Sequence, residues 1–458
     1  MKYIKHIMPL LFLLLTTSSC RKFIEVEPPI DKLSAEVVFT DVETATSAVT
    51  GIYTNMLVTL PVISSGGVTV YTGLTSDELY SSNTTSTTLA EFASNAISPG
   101  NSVLKNDFWQ KGFNLIYHAN ACTEGLENNT YLPVQVRDQL LGEVYLCRAF
   151  IYYYFVNLFG DVPLLLKTDY QENQKAARTA TTTVYGQIIT DLKNAQALLG
   201  TSYPTNERVR PNKWAATALL AKVYLILGQW TLAEQESSSI INSGDYSLEP
   251  DPNNVFLATS NEAIWQIMPT RGYNTTEGLT FIPANWSSGP PNFPLTDYLI
   301  SSFETDDLRK SSWVSSKTVQ GQTYYYPHKY KIGAYGQPVT EYYMVFRLAE
   351  QYLIRSESLT WQQKIDKAKN DLDIIRKRAG LPDTPASTTE ELLAAMAHER
   401  RIELFAEWGN RWIDLKRTKK SADVLSPIKA GWQPTDTLFP IPLEEIQRNP
   451  SLAQNPGY

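Results

Sequence analysis

Residues 148–164, RAFIYYYFVNLFGDVPL, place one arginine among apolar and aromatic residues, and this apolar run ends at Gly160. Helical periodicity runs up to Phe159 from Pro133, which suits a helix start, and glycine is common just past a helix end. A second helical pattern covers 103–128. Because the connection between the two patterns is short, we predict an antiparallel helix pair and a mainly α-helical fold.

Helical patterns continue on both sides of this pair. Ser34 is placed to cap a helix whose apolar positions run from Val38 to Met56. Further helices are predicted at 181–199, 211–227, 230–242, 345–360, 363–379 and 388–408. Residues 59–102 lose the helical period and predict a loop. Pro, Gly, Asn and aromatic residues dominate 244–341, where Ala263 to Ile267 indicates a short strand.

Two of the helix pairs match the tetratricopeptide frame of about 34 residues, which needs small residues where its helices cross. The matching residues are Ala221, Tyr224, Gly228 and Ala233 in one pair, and Tyr352, Ser356, Leu359 and Ala368 in the other. The remaining helices match less well. We therefore predict tetratricopeptide-like pairs within a larger helical bundle, interrupted by an irregular excursion with short strands.

The amino terminus has the pattern of an export signal. Lys2 and Lys5 precede an apolar stretch that is too short to span a bilayer, and small residues follow up to Cys20. A cysteine at this place resembles the bacterial lipobox. We expect 1–19 to be a lipoprotein signal peptide, Cys20 the lipidated first mature residue, and 20–33 an extended tether containing Pro28 and Pro29. The alternative is an ordinary secreted protein in which Cys20 is incidental.

Composition narrows the class of protein. The chain has 458 residues, 43% of them hydrophobic, and a formal net charge of -7. Lys and Arg are not clustered, which argues against nucleic-acid binding. Tyr and Trp number 26 and 10, a surplus that suits a binder able to stack on a flat ligand face. Cys122 and Cys147 are expected to be buried thiols without a disulfide.

Several segments of the chain resemble the SusD/RagB family of nutrient-uptake lipoproteins of the Bacteroidetes outer membrane. They begin with 148–154 and 158–164, which end in Gly-Asp-Val-Pro, and continue with 218–225 and 243–248. The others are 347–350, 375–381, 399–417 and the tail from Pro440 to Tyr458. The order and number of these segments make the resemblance specific across nearly all of the mature chain.

The charged and glycine residues of these segments also have structural interpretations. Arg148 is expected to be held by stacking and hydrogen bonds at a helix interface, because a guanidinium rarely stays buried unpaired. Glu399, Arg400, Glu403 and Glu407 suggest an ion-paired face tied to Arg411 and Asp414. The resemblance thus assigns a scaffold role to Arg148, Gly160, Asp161, Pro163, Glu399, Arg400, Arg411, Trp412 and Asp414.

Signatures of catalysis and of metal binding are weak. His398-Glu399 begins like a zinc-protease helix, but Ile402 stands where the second histidine would be. His118, His328 and His398 are too scattered to indicate a metal cluster or a triad. We expect no enzyme activity, no metal and no cofactor, although two carboxylates brought together by folding would need no local motif and a hydrolase stays an alternative.

Aromatic residues in irregular segments are the candidate ligand contacts, since scaffolds commonly present binding groups on loops. Trp286 is the strongest candidate because its Ser, Gly and Pro neighbours offer no apolar partner, and Trp286→Ala is predicted to weaken ligand binding without unfolding the chain. Tyr71 and Tyr80, with Asp77 and Glu78 between them, form a second candidate rim. The other candidates are Tyr273, Asn285, Phe293, Trp313 and Tyr325, with Tyr324, Tyr326 and Tyr335 in the same segment. The alternative for any one ring is packing of the excursion onto the bundle.

The resemblance implies one domain over 34–458, with a helical scaffold at about 34–243 and 344–458 and a ligand-binding excursion at about 244–343. It also implies a protein anchored by lipid in the outer membrane and facing outward. Such a protein would bind an oligosaccharide or another oligomeric nutrient and deliver it to a SusC-like TonB-dependent transporter barrel. The alternatives are a lipid-anchored protein-interaction scaffold and a peptide-binding uptake protein.

Overall fold

The structure, a computed structural model, describes residues 35–57, 61–284 and 287–458. Helices dominate these residues. Their bounds are α1 Ala35–Val38, α2 Val42–Met56, α3 Gly67–Thr75, α4 Thr87–Ser94, α5 Lys111–Leu126, α6 Val134–Phe159, α7 Tyr170–Asn173, α8 Thr181–Leu198, α9 Lys213–Ile226, α10 Trp230–Ile241, α11 Thr276–Phe281, α12 Asp297–Ile300, α13 Leu308–Trp313, α14 Leu348–Trp361, α15 Ile365–Arg378, α16 Thr389–Glu403, α17 Asn410–Arg417, α18 Ser421–Leu425 and α19 Leu443–Arg448. A π-helical segment, Leu104–Gln110, leads into α5, and 3-10 turns lie at Pro252–Asn254 and Pro434–Thr437.

Two small antiparallel sheets complete the described fold. β1 (Ala263–Ile267) pairs with β4 (Tyr343–Arg347), with Ile267 opposite Tyr343. β2 (Val314–Val319) and β3 (Gln322–Pro327) form a hairpin whose turn residues, Gln320 and Gly321, both have positive φ. Two such residues suit a tight hairpin turn. The strand predicted at Ala263 to Ile267 is therefore confirmed, and the mainly α-helical class holds.

The 26-residue helix α6 is the centre of the bundle, and it is buried from Leu140 to its end. It packs between α5 and α8, and its contact with α5 agrees with the helix pair predicted from the short connection. Gly160, at φ 72°, ends α6. Cys122 and Cys147 are buried free thiols on α5 and α6, as expected. No described helix is long and apolar enough to cross a membrane.

The two tetratricopeptide-like pairs are α9 with α10 and α14 with α15, and α10 packs against α14. Ala221 and Ala233 are fully buried where the first pair crosses. In the second pair the Ser356 hydroxyl donates to the Ala368 carbonyl at 2.6 Å, which brings the two backbones close together. Small residues thus allow the close approach that the sequence predicts.

Four predicted boundaries are wrong. The helix predicted across Val38 to Met56 is interrupted after Val38, because Asp41 caps a new helix that starts at Val42. Residues 59–102 are not all loop, because α3 and α4 lie there; all nine residues of α3 are buried, so this helix shows no amphipathic period. The helix predicted at 345–360 begins only at Leu348, since 343–347 pair with β1. The helix predicted at 388–408 ends at Glu403, and positive φ angles at Ala406 and Trp408 turn the chain. Ser34 and Cys20 lie outside the described residues.

Candidate ligand-binding cleft

A cleft with a volume of about 880 Å³ lies in the predicted excursion. One wall is formed by residues from 279–284 and 287–292, and the other is the loop 331–337. This volume is typical of small-molecule sites. The described lining residues are Leu279, Thr280, Ile282, Pro283, Ala284, Ser287, Pro290, Asn292, Lys331, Ile332, Gly333, Ala334, Tyr335 and Gln337.

Two glycines bring the walls of the cleft together at its base. A Cβ on Gly278 would lie 2.3 Å from the carbonyl oxygen of Ile332. A Cβ on Gly333 would lie 2.6 Å from the Cβ of Ile282. Real Cβ atoms do not approach other atoms so closely, so the packing of the two walls requires glycine at both positions.

Buried polar side chains hold the loop that forms the second wall. The Asn274 carbonyl oxygen accepts from the amides of Thr340 and Glu341 at 2.8 and 2.9 Å. The Glu341 carboxylate accepts from the Lys331 amide at 2.6 Å. Burial raises the pKa of Glu341. These bonds fix both ends of the loop, so its exposed middle is presented by a rigid base.

Tyr335 is the most exposed aromatic side chain of the cleft lining, with 66% of its surface accessible. Its ring lies edge-on to the buried Tyr273, with centroids 5.6 Å apart. The Gly336 amide also donates to the Gly272 carbonyl at 2.8 Å. Tyr273 therefore supports the exposed ring from below, while the free face of Tyr335 is available to a ligand.

The polar groups of the cleft are mostly uncharged. Asn292, Gln337, Ser287 and Thr280 supply amides and hydroxyls. Lys331 is the one charged side chain among the described lining residues, and its ammonium donates to the carbonyls of His328, at 2.6 Å, and Ser312. Burial lowers the pKa of Lys331 to about 8. A site of this kind recognises a neutral ligand with hydrogen-bonding groups and a flat apolar face.

A second set of exposed tyrosines lies beside the cleft. The chain at 292–296 runs between the 78–82 segment and β3: the Tyr80 amide donates to the Pro294 carbonyl at 3.0 Å, and the Leu295 amide donates to the Tyr325 carbonyl at 2.8 Å. Tyr80 and Tyr325 are 37% and 36% exposed. Tyr80 and Tyr325, two candidate ligand contacts from distant segments, thus lie next to the chain at 292–296, at one edge of the cleft.

Four other sequence candidates are buried, so the expectation that they face a ligand is wrong for them. Tyr71 packs against Phe92, with ring centroids 4.7 Å apart, because α3 lies wholly in the core. Trp313 is inaccessible, and its indole donates to the Pro252 carbonyl at 2.8 Å. Tyr273 and Phe293 are 3% and 9% exposed.

Asn285 and Trp286 lie outside the described residues. Their neighbours Ala284 and Ser287 both line the cleft, and the Ser287 carbonyl accepts from the Lys317 ammonium at 2.7 Å. Sequence reasoning named Tyr335 only as one of several tyrosines in the excursion, and it did not select Gln337. The glycines at 333 and 336, which flank a Tyr in an irregular segment, were the available signal.

The prediction that Asp77 and Glu78 lie on a second ligand-binding rim is also wrong. Asp77 is buried and accepts from Arg411 and Arg401, both at 2.7 Å. Glu78 is buried as well, and one of its oxygens accepts from the Ala406 amide at 3.3 Å. Burial, and then the charge of Asp77, raise the pKa of Glu78 to about 8. Both acids thus join α3 to the carboxyl-terminal part of the chain.

The scaffold role of Arg148 fits its surroundings. Its guanidinium makes a bidentate pair with Asp191 on α8, at 2.7 and 2.8 Å, and donates to Asn120 on α5 at 3.0 Å. It lies 5.4 Å from the centre of the Tyr145 ring. Arg148 therefore ties three helices together.

The glutamates of α16 have partners other than those expected. Arg400 pairs with Asp414 at 2.8 Å, as predicted, but Arg411 pairs with Asp77 instead of joining that face. Glu399 accepts from Arg309 at 2.5 Å, and Glu403 pairs with three arginines. These partners come from α13, β4 and α15, which a helix-spacing argument cannot identify.

The remaining scaffold residues lie in the core or cap a helix. The Asp161 carboxylate accepts from the amide and hydroxyl of Thr181 at 2.8 Å and so caps the start of α8. Trp412 is fully buried, with its ring 6.2 Å from that of Phe439. Pro163 is buried directly after the turn at Gly160.

Comparison with known protein families gives two matches. Residues 22–225 match a family described as SusD-like, starch-binding associating with outer membrane. Residues 296–458 match the family described as SusD family. The first wall of the cleft lies between the two matches, whereas the second match includes the 331–337 wall, and the matches include Tyr80 and Tyr325.

The chain is also similar to individual SusD-like proteins. SusD-like protein P2 of Formosa agariphila is 29% identical over 411 residues, which cover 77% of this chain and 80% of that protein. A solved laminarin-binding SusD-like protein is 25% identical, covers 91% of this chain and 99% of that chain, and has a TM-score of 0.77. The surface glycan-binding protein A of Bacteroides thetaiotaomicron, in complex with laminarihexaose, has a TM-score of 0.76 at 21% identity, with 90% of this chain and 99% of that chain covered. This last likeness concerns the fold.

Proposed function

The chain belongs to the SusD family, and from that premise we propose that it binds an oligosaccharide in the cleft between 279–284 and 287–292 on one side and the loop 331–337 on the other. The observation that carries the proposal is Tyr335, an exposed ring on a rigid base above a cleft of about 880 Å³ lined by amides and hydroxyls. A tyrosine face suits the C–H face of a sugar ring, while amides suit its hydroxyl groups.

The charge distribution also supports a neutral saccharide. The only charged side chain among the described lining residues is Lys331, and its ammonium donates to backbone carbonyls. An anionic ligand would need a free cation, and hydrolysis of a glycosidic bond commonly uses two carboxylates. The described lining residues offer groups for reversible recognition, so we propose binding without catalysis.

Related proteins support the same ligand class. The laminarin-binding neighbour shares 25% of its sequence with this chain, and one of the two matching family descriptions names starch. Laminarin and starch are both neutral glucans. We propose a glucan or a similar neutral glycan as the ligand, with Tyr80 and Tyr325 extending the site along the edge of the cleft.

Delivery to a transporter completes the proposal. We propose that Cys20 carries a lipid anchor in the outer membrane, with the folded body facing outward. The body would then bind a TonB-dependent, SusC-like barrel and pass on its ligand. Co-purification of the full-length protein with a barrel from outer membranes tests the partner, and mass spectrometry of the mature amino terminus tests the lipid on Cys20.

Calorimetric titration of the mature chain with laminarihexaose and maltohexaose tests the cleft. We expect Tyr335→Ala to weaken binding about tenfold, equivalent to about 1.4 kcal/mol, because the stacking face is lost. Tyr131, which is 73% exposed in the turn before α6, provides the matched control, and Tyr131→Ala should bind as the native chain does. Equal affinities of the two variants would remove Tyr335 from the site.

Trp286→Ala stays a prediction from the sequence and belongs in the same series. Its position between two residues of the cleft lining makes a loss of affinity similar to that of Tyr335→Ala the expected result. Native affinity in Trp286→Ala together with weakened binding in Tyr335→Ala would restrict the site to the 331–337 wall.

A further inference from the structure

A second depression lies on elements that do not contribute to the cleft. Two adjoining cavities, of about 450 and 370 Å³, follow one side of α5. They share Phe113, Leu165, Asn173 and Gln174 and so form one continuous groove, here called the α5 groove. None of the described residues that line it also lines the cleft.

The walls of the α5 groove are held in place by hydrogen bonds from α5. Asn120 donates to the Leu165 carbonyl at 3.0 Å. Glu124 accepts from the amide and the hydroxyl of Thr168, at 2.8 and 2.6 Å. Asn173 in α7 donates to the Lys167 carbonyl at 2.8 Å. The segment 165–173 is therefore fixed against α5, and a ligand would meet a formed surface.

Aromatic faces and amides line the groove. Tyr117 and Tyr170 are 50% and 70% exposed, and the half-buried Phe113 lies in both cavities. Asn173 and Gln174 supply amide groups in the shared part. Exposed tyrosines beside amides repeat the chemistry of the cleft, on a surface that is otherwise part of the helical scaffold.

The charged groups at one end of the groove also favour a neutral ligand. At one end Glu445 accepts from Arg448 and Gln110, both at 3.1 Å, so this acid and base are already paired. At the other end the lining contains one lysine, Lys167. A charged ligand would compete with the existing ion pair, whereas a saccharide needs only the ring faces and the amides.

We propose that the α5 groove is a second saccharide-binding site, which takes a neutral oligosaccharide through Tyr117 and Tyr170. Two sites on one chain hold a polysaccharide more tightly than either site alone, since the second contact is intramolecular. The inference extends the proposed function to a second surface, but the groove can be tested independently of the cleft.

Affinity electrophoresis in gels that contain laminarin or soluble starch tests this inference. The chains compared are the native protein, Tyr335→Ala, the double variant Tyr117→Ala/Tyr170→Ala, the variant with all three changes, and the control Tyr131→Ala. Both groove tyrosines are well exposed, so their removal should leave the fold intact, and thermal unfolding monitored by circular dichroism checks this. We expect Tyr335→Ala to keep part of the retardation and the triple variant to lose it.

The outcomes separate the two sites. Equal retardation of Tyr335→Ala and the triple variant would overturn the inference. So would native mobility of the double variant combined with complete loss of retardation in Tyr335→Ala, and the cleft would then stand alone. A native chain that is not retarded in either gel would overturn both sites for neutral glucans.

Discussion

At the scale of single residues, buried charge is the most prominent feature of this protein. The fully buried carboxylate of Glu403 contacts Arg309 at 3.0 Å, Arg347 at 2.5 Å and also Arg378. These guanidiniums hold the pKa of Glu403 well below its ordinary value despite its burial. The sequence shows that α16 carries glutamates at helical spacing, but the partners lie 25 to 94 residues away in the chain.

Glu403→Gln is expected to lower the free energy of unfolding by about 3–5 kcal/mol, because the buried arginines lose their shared counter-ion. Urea unfolding at neutral pH measures the change. The matched control is Glu207→Gln, an exposed position, where we expect a change within about 0.5 kcal/mol. A loss no larger than that of the control would show that the network contributes no net stability.

The raised pKa of Glu78 predicts that the stability of the folded chain changes with pH in the opposite direction to the change expected for an ion-paired acid. Its other carboxylate oxygen has no hydrogen-bond partner among the described residues, and its pKa rises from 4.5 to about 8 on folding. Between these values the folded chain keeps a proton that the unfolded chain has lost, so stability falls as the pH rises. Glu78→Gln cannot lose that proton.

Denaturation of native chain and Glu78→Gln at about pH 5 and about pH 8 checks this sign. We expect the native chain to lose more stability between the two pH values than Glu78→Gln does. Glu207→Gln should follow the native chain. A variant that shows the native pH dependence would mean that Glu78 is ionised in the folded state across this range.

At the scale of elements, small residues and turns decide how the segments meet. Ala221, Ala233 and Ser356 allow the two helices of each tetratricopeptide-like pair to approach closely. The spacing of these small residues in the sequence predicted this packing. Helix α3 could not be predicted from the sequence, because all nine of its residues are buried and it has no polar face. The cleft is also a product of element packing, because its walls come from segments about fifty residues apart and touch at Gly278 and Gly333.

Gly333→Ala is predicted to weaken saccharide binding about tenfold or more, because the new Cβ would push the 331–337 wall away from Ile282. Calorimetric titration with the saccharide bound by the native chain measures this effect. Gly431→Ala is the control, since Gly431 is exposed, has ordinary φ and has open space around its Cβ position. Native affinity in Gly333→Ala would show that the spacing of the walls does not govern binding.

At the scale of the whole molecule, the two ends of the described chain share one core. Phe439 is fully buried, and its ring lies within 6.2 Å of those of Phe92, Phe108, Phe159 and Trp412. The Asn455 amide donates to the carbonyls of Phe159 and Phe439, at 2.9 and 2.7 Å. The tail, which contains the short helix α19, is thus part of the scaffold.

Phe439→Ala is expected to lower the free energy of unfolding by about 3–5 kcal/mol, since it leaves a cavity among four aromatic rings. Because those rings come from distant parts of the chain, the loss should appear in a single unfolding transition seen by both circular dichroism and tryptophan fluorescence. The control Leu443→Ala removes a side chain that is 47% exposed and should cost much less. Two separate transitions in the variant would show that the tail unfolds independently.

The sequence by itself determined the helical class, the pairs of helices and the family, because these depend on local periodicity and on motifs that are continuous in the chain. The tertiary structure decided which aromatic rings a ligand can reach: Tyr71 and Trp313 are buried, while Tyr80, Tyr325 and Tyr335 are exposed. The tertiary structure also determined which arginines pair with the buried carboxylates. Exposure and pairing depend on contacts between segments far apart in the chain, and local sequence patterns do not encode those contacts.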